Sequence, residues 1–320
     1  MTRLPAAFPY VGGKWRLAPQ IIRLLPPHRL FVELFGGSAA VTLAKPRSTI
    51  EVLNDIDEDV VNFFTVLRES DLRAQLCDRL HYTPFSRAQF EACVDMPPPA
   101  DRVLRAWRFY VLARQQFGGF RPANYGRGFT GSTRGRWRTE PGKTRPPGGC
   151  AGTFHRQIGL LGEIAERLRD VHIECRDFAE IIDQWDRPDA CFYVDAPYVG
   201  TEGYYDNGSF GAIRHVELAN ALNRARARVL VSYYPHPSLG ELYPSARWTR
   251  TSFRAVKNAQ CSAANAKKEV VTELVLCNFK PAVPTWLEQL ESSSESSVSS
   301  VTSSSATATA DETSVAEKEL

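Results

Sequence analysis

Asp195, Ala196, Pro197 and Tyr198 follow an apolar run at 190–194, and this run is typical of a central, buried strand. Parallel sheets bind ligands at the carboxyl ends of their strands. There, the Asp195 carboxylate and a backbone carbonyl beside Pro197 can accept both hydrogens of an amino group, while Tyr198 can stack on an unstacked base. The pattern suits the orientation of an exocyclic amino group for attack on an electrophile. A strand-ending turn with a surface tyrosine fits these four residues equally well.

A glycine-containing turn lies within 31–41, where an apolar run ends in Glu33 and the pair Gly36-Gly37 leads into small residues. Glycine lets the backbone approach a ligand, and a helix amino terminus offers N–H donors. The turn therefore predicts either a nucleotide site of a Rossmann-like fold or a tight strand-to-helix connection. It lacks the lysine pattern of a phosphate-binding P-loop.

A second candidate strand ends in Asn54-Asp55. Nucleoside-binding folds place a carboxylate one strand after the glycine turn, where it reaches ribose hydroxyls. The alternative is a helix amino-terminal cap at Asp55 or Asp57. Taken with the glycine turn, the nucleoside interpretation is favoured.

Short strands separated by helical patterns predict an α/β fold with a mostly parallel, doubly wound sheet. The predicted strands lie at 29–35, 49–54, 171–175, 190–194, 228–234, 247–253 and 269–279. Apolar residues recur at helical spacing over 15–25 and 158–168. Residues 76–150 break this rhythm and predict an inserted lobe.

The composition of the 320 residues, 43% hydrophobic, predicts a folded chain without a membrane span or signal peptide. The seven cysteines are scattered and contain no CxxC pair, so thiols in a reducing cytoplasm are expected rather than disulfides. The six histidines show no ligand spacing, and no metal site is predicted.

Charge is distributed unevenly, although the net charge is only +3. Residues 102–146 contain ten arginines and one lysine against one glutamate, which indicates either contact with a polyanion or a solvated face. The arginines predicted to bind DNA are Arg121, Arg127, Arg134, Arg136 and Arg138. Residues 282–320 are acidic and serine-rich, and are expected to be disordered.

Seven segments in order resemble the DNA adenine methylase family, which methylates adenine N6 with S-adenosylmethionine. FVELFGGSAAV is similar to the cofactor turn of that family, and Asp195-Ala196-Pro197-Tyr198 is similar to its D-P-P-Y motif. The matching segments are 8–21, 31–41, 53–64, 108–120, 171–182, 195–222 and 267–279.

The resemblance implies a class I methyltransferase: a seven-stranded Rossmann-like sheet with one antiparallel strand. Residues 1–75 and 151–281 would form its catalytic domain, and 76–150 would form an inserted target-recognition lobe. The residues implied in cofactor binding are Tyr10, Gly12, Gly13, Lys14, Glu33, Phe35, Gly37, Asp55, Asp177, Phe178 and Asp195. The residues implied to hold the target adenine are Asp195, the Ala196 carbonyl, Pro197 and Tyr198.

Three positions depart from the family pattern. Ala196 replaces the first proline of D-P-P-Y but keeps its carbonyl, Ala39 replaces the last glycine of the cofactor turn, and Tyr10 stands where tryptophan is common. A weak or inactive DNA-binding relative therefore remains an alternative, as does a methyltransferase acting on cytosine N4 or RNA. Double-stranded DNA is the expected partner. The recognition sequence, the oligomeric state and the existence of a cognate restriction endonuclease stay open.

Overall fold

The structure is a computed structural model that describes residues 4–10, 12–116, 137, 149–200, 210–256 and 270–282. All statements on structure apply to these residues. The five arginines predicted to bind DNA and almost all of the acidic tail lie outside them.

The seven predicted strands form one sheet in the order β3-β2-β1-β4-β5-β7-β6. Pairing is parallel from β3 to β5, while β7 runs antiparallel to both β5 and β6. The predicted mixed sheet with one reversed strand is thus confirmed. The strands are β1 (Leu30–Glu33), β2 (Ile50–Asn54), β3 (Val171–Glu174), β4 (Ala190–Val194), β5 (Arg228–Tyr233), β6 (Thr249–Val256) and β7 (Val270–Cys277).

Helices follow most of the strands. The helices of the described residues are α1 (Ala18–Leu24), α2 (Ala40–Ala44), α3 (Glu58–Arg68), α4 (Ser70–His81), α5 (Arg87–Asp95), α6 (Arg102–Gln115), α7 (Gly149–Ile158), α8 (Leu161–Leu168), α9 (Phe178–Trp185), α10 (Ala212–Arg224) and α11 (Leu239–Leu242). The second predicted helical pattern, 158–168, is divided between α7 and α8.

The central strands β1 and β4 are buried along their whole length, as their apolar sequences predict. Strand order reverses between them, since the chain passes from β1 to β2 on one side and from β4 to β5 on the other. In open α/β sheets, ligands bind in the crevice at such a switch point, at the carboxyl ends of the strands. Glu33 and Asp195 both lie at this edge.

The described part of the predicted lobe is helical and packs on the core. Helices α4, α5 and α6 contribute buried residues to the hydrophobic cluster that contains Phe63 and Phe64 of α3. A continuous apolar face on α6 explains this, because most of its residues from Ala106 onward are buried. A boundary at residue 76 therefore falls inside α4.

Four arginines of the basic segment make contacts within the protein. Arg102 pairs with Glu69, and Arg105 pairs with Asp59 and Glu58. Arg108 is 2% exposed and donates to the Cys93 carbonyl, and Arg114 donates to the Ala7 carbonyl. These arginines stabilise helix packing, so the polyanion hypothesis rests on the rest of the segment.

No helix within the described ranges is both long and apolar enough to cross a membrane. All strands and helices named above belong to one unit that ends at Pro281.

Candidate active site

Asp195 is the first residue beyond β4, and its carboxylate meets the ammonium of Lys14. Lys14 Nζ lies 2.9 Å from Asp195 Oδ1. The lysine is 6% exposed, whereas 18% of the Asp195 side chain remains exposed. A turn directs Lys14 inward: Gly13 N–H donates to the Tyr10 carbonyl at 3.0 Å, and Lys14 Nζ donates to the Gly12 carbonyl at 2.7 Å. The acid at the strand end thus faces a buried cation.

Tyr198 lies beside the same carboxylate and is 7% exposed. Its hydroxyl is 3.2 Å from Asp195 Oδ1, and Lys14 Nζ sits 4.8 Å from the centre of its ring. The ring makes an edge-to-face contact with Tyr234, with 4.6 Å between centroids. Asp195 and Tyr198 therefore form one contact network rather than two separate features, and the turn they form is not a surface turn.

Glu273 of β7 completes this network and has no assigned role in the sequence prediction. Its carboxylate accepts a hydrogen bond from the Tyr198 hydroxyl, and its Oε1 lies 3.5 Å from Lys14 Nζ. Glu273 is 2% exposed. The available sequence signal was an acid within an otherwise apolar strand pattern, since an isolated buried charge needs a partner.

Burial controls the protonation of these groups. Burial raises the pKa of Asp195, and the opposing effect of Lys14 is smaller. The pKa of Glu273 is also raised by burial, with Lys14 again opposing. Burial and the two neighbouring carboxylates raise the pKa of Tyr198 well above its ordinary value, so its hydroxyl keeps its hydrogen.

The glycine turn brings Gly37, Asp55 and Tyr10 together at the neighbouring strand ends. Gly37 N–H donates to Asp55 Oδ2 at 2.6 Å. Gly37 has φ +45°, and an added Cβ would lie 3.1 Å from the Tyr10 ring. Glycine is therefore required there by both backbone conformation and space. Asp57, not Asp55, caps α3 by accepting from Asp59 N–H.

Glu33 holds the start of α2. Its two oxygens accept from the N–H groups of Val41 at 3.3 Å and Thr42 at 2.8 Å. The amino-terminal donors predicted to serve a ligand are thus bonded to Glu33. Burial raises the pKa of Glu33 to about 7, and hydrogen bonds from Thr42 and Val41 oppose this rise.

Ala39 adopts the left-handed conformation, with φ 55° and ψ 36°. Glycine enters this region without strain, whereas alanine does so at a cost of roughly 1–2 kcal/mol. The turn therefore keeps a glycine-like shape although alanine stands at this position.

Aromatic rings gather near the carboxyl ends of β1 and β3. Phe35 lies 6.0 Å from Phe178 and 5.6 Å from Phe210, measured between ring centroids. Asp177 caps α9 by accepting from Ala179 N–H and pairs with Arg214, whose guanidinium lies over the Phe178 ring at 4.3 Å. This cluster can offer flat faces and a carboxylate to a planar ring.

The described residues predicted for the site fall into three adjoining groups. Lys14 lies with Asp195 and Tyr198, which are predicted to hold the target adenine, whereas Tyr10, Gly37 and Asp55 meet at the glycine turn. Phe35 and Phe178 form the aromatic cluster with Asp177. The five arginines predicted to bind DNA lie outside the described residues.

The sheet order and a site at the switch point together define a class I methyltransferase fold. The sequence pattern of the D12 class N6 adenine-specific DNA methyltransferases matches residues 10–256. The chain belongs to this family, which methylates adenine N6 in DNA.

Curated relatives are similar over most of the chain. The chain is 27% identical over 266 residues to the DNA N-6-adenine-methyltransferase of Escherichia phage P1, a match covering 79% of the chain and 33% of that protein. It is 24% identical over 296 residues to the DNA adenine methylase of Salmonella typhi, covering 89% and 99% respectively. The DNA adenine methylase of Salmonella typhimurium strain LT2 gives the same values. The chain thus spans a third of the phage protein but nearly the whole Salmonella proteins.

Proposed function

We propose that the chain transfers a methyl group from S-adenosylmethionine to adenine N6 within a specific sequence of double-stranded DNA. The observation that carries this proposal is the Asp195 carboxylate, held by buried Lys14 at the carboxyl end of the central strand and followed by Pro197-Tyr198. We expect the protein to act on DNA in the cytoplasm.

The residues at the strand ends fit S-adenosylmethionine. Gly37 leaves the space beside the Tyr10 ring that a Cβ would fill, and Phe35 and Phe178 provide flat surfaces nearby. Tyr10, Lys14, Asp55 and the aromatic cluster would hold the cosubstrate. When bound, it supplies a methyl group activated by a positively charged sulfur.

Asp195 and the Ala196 carbonyl would accept the two hydrogens of the adenine amino group. The nitrogen lone pair is delocalised into the ring, and these two hydrogen bonds localise it on the attacking atom. Positioning of this kind lowers the barrier because the reacting atoms are held in line. Ala196 is 1% exposed, so its carbonyl becomes available to adenine only when the residues around it shift, and alanine does not constrain φ as proline does.

Tyr198 would stack on the adenine after the base leaves the helix. A duplex keeps N6 paired and out of reach of a site at a strand end, so the base must flip out. Arg121, Arg127, Arg134, Arg136 and Arg138 would contact the DNA.

The decisive experiment is to incubate purified protein with plasmid DNA and S-adenosylmethionine and to digest the DNA to nucleosides. Mass spectrometry is expected to find N6-methyldeoxyadenosine. N4-methyldeoxycytidine alone, or transfer to RNA only, would contradict the proposal. Absence of any transfer together with tight DNA binding would favour the inactive relative.

A further inference from the structure

We propose that Glu273 is a positioning residue for methyl transfer: it takes the Tyr198 hydroxyl hydrogen and so preserves Asp195 as an acceptor for adenine. This inference rests on the proposed function. It concerns a residue on the antiparallel strand β7, distant in sequence from the D-A-P-Y segment.

The geometry places two carboxylates around one hydroxyl hydrogen. Tyr198 Oη is 3.2 Å from Asp195 Oδ1 and lies nearer to Glu273 Oε1. A hydroxyl donates a single hydrogen, so the two acids compete for it. The nearer oxygen, that of Glu273, receives it.

The same two carboxylates share Lys14. Lys14 Nζ lies 2.9 Å from Asp195 Oδ1 and 3.5 Å from Glu273 Oε1. Glu273 therefore draws part of the ammonium charge away from Asp195. Both of its contacts leave more negative charge on Asp195 for the adenine amino group.

Loss of the Glu273 acceptor should redirect the Tyr198 hydroxyl to Asp195. The carboxylate would then carry hydrogen bonds from Tyr198 and Lys14 before any substrate binds, and would accept less strongly from adenine. Glu273→Gln keeps an oxygen acceptor of the same length, whereas Glu273→Met keeps the length and removes the acceptor. Comparing these two variants isolates the proposed contact.

The test measures kcat and KM for methyl transfer by wild type, both variants and the exposed control Glu163→Met. Glu273→Met is expected to lower kcat about 10- to 100-fold, with a much smaller change in KM for DNA. Glu273→Gln is expected to keep kcat within about threefold of wild type, because it loses only the charge contact with Lys14 and keeps the oxygen acceptor. In the Tyr198→Phe background, the loss caused by Glu273→Met should shrink, because no hydroxyl remains to be redirected.

Thermal unfolding gives a second test that does not depend on activity. Glu273→Met and Tyr198→Phe each remove the hydrogen bond and keep the side-chain length, so their effects on Tm should be non-additive in the double variant if the two groups interact. Additive effects on Tm, or full activity of Glu273→Met, would overturn the inference. The proposed function would still stand if the wild type transfers methyl groups in the same assay. A wild type that transfers no methyl group would overturn both.

Discussion

Asp195 combines an exposed edge with a buried partner, as a carboxylate that binds a substrate amino group requires. Lys14 supplies the compensating charge at 2.9 Å, and the incomplete burial leaves access to the acid. We propose that this acid binds the substrate, and Lys14 would keep Glu273 as a charged partner if Asp195 were replaced.

Asp195→Ala is expected to abolish methyl transfer and to leave the protein folded with a lower Tm, because Lys14 loses its nearer charged partner. Asp195→Asn should be milder, because the amide oxygen still accepts a hydrogen bond. The measurement is turnover with S-adenosylmethionine and DNA, with Asp183→Ala on the exposed face of α9 as the matched control. More than a few per cent of wild-type turnover in Asp195→Ala would show that the acid is not catalytic.

Glu33 should make stability depend on pH. Burial raises its pKa from 4.5 to about 7, so the folded state holds a proton that the unfolded state has released in this window. The free energy of unfolding therefore falls as the pH rises from 4.5 to 7 and levels off above. The Glu33 contribution is at most about 3 kcal/mol.

Urea unfolding at several pH values checks this expectation. Glu33→Gln should flatten the decline, whereas the exposed control Glu163→Gln should not. The decline that remains in Glu33→Gln would come from the other buried acids with raised pKa values: Asp57, whose pKa burial raises to about 7, Asp195 and Glu273. Identical pH profiles for Glu33→Gln and wild type would contradict the assignment.

At the scale of secondary structure, the turn after β1 positions the site residues, and one position in this turn accepts only glycine without strain. The turn after β1 requires φ +45° at Gly37, and its approach to Tyr10 depends on the missing Cβ. In α8, by contrast, a Cβ added at Gly162 meets nothing within 4 Å. The same substitution should therefore have opposite effects in the two elements.

Gly37→Ala is expected to destabilise the protein by about 1–2 kcal/mol and to weaken S-adenosylmethionine binding, owing to strain and to displacement of Tyr10. Gly162→Ala is expected to stabilise the protein by about 0.5–1 kcal/mol, since alanine favours the helix. Thermal unfolding and cofactor calorimetry compare the two variants. A shift of Tm in the same direction for both would count against the argument.

At the scale of the whole molecule, the basic segment 102–146 divides into arginines with internal contacts and arginines that are predicted to contact DNA. Arg102, Arg105, Arg108 and Arg114 have structural contacts, which leaves the later arginines as the candidates for phosphate contact. Each phosphate neutralised adds about −0.9 to the slope of log affinity against log salt. Base contacts by arginine add discrimination instead.

The triple substitution of Arg134, Arg136 and Arg138 by alanine is expected to weaken DNA binding and to reduce the salt slope by up to about 2.7. The affinity for S-adenosylmethionine should not change. The matched control replaces three exposed arginines near the amino ends of β4 and β5: Arg187 before β4, Arg224 at the end of α10 and Arg228 at the start of β5. A salt titration of DNA binding, with cofactor calorimetry, separates the two sets. An unchanged slope would mean that this stretch is a solvated face.

The sequence by itself determined the seven strands and the family, because apolar periodicity and ordered motifs are local properties of the chain. The reversed strand was predicted only through the family resemblance. It also indicated Asp195 as a strand-end acid, because the apolar composition of residues 190–194 is typical of a buried strand. It did not reveal that 102–115 packs into the core, because a basic helix with a buried face resembles a basic surface until its neighbours are known.

Tertiary structure alone decided which acids are partners. Glu273 reaches Tyr198 only because β7 pairs with β5, which in turn pairs with β4, and this order cannot be read from sequence distance. Glu33 likewise bonds to the start of α2 because the chain turns back at Gly37. Pairing across a sheet joins residues that are far apart in the chain. Only the order of the strands therefore brings Glu273 close to Lys14 and Tyr198, the two residues that contact Asp195.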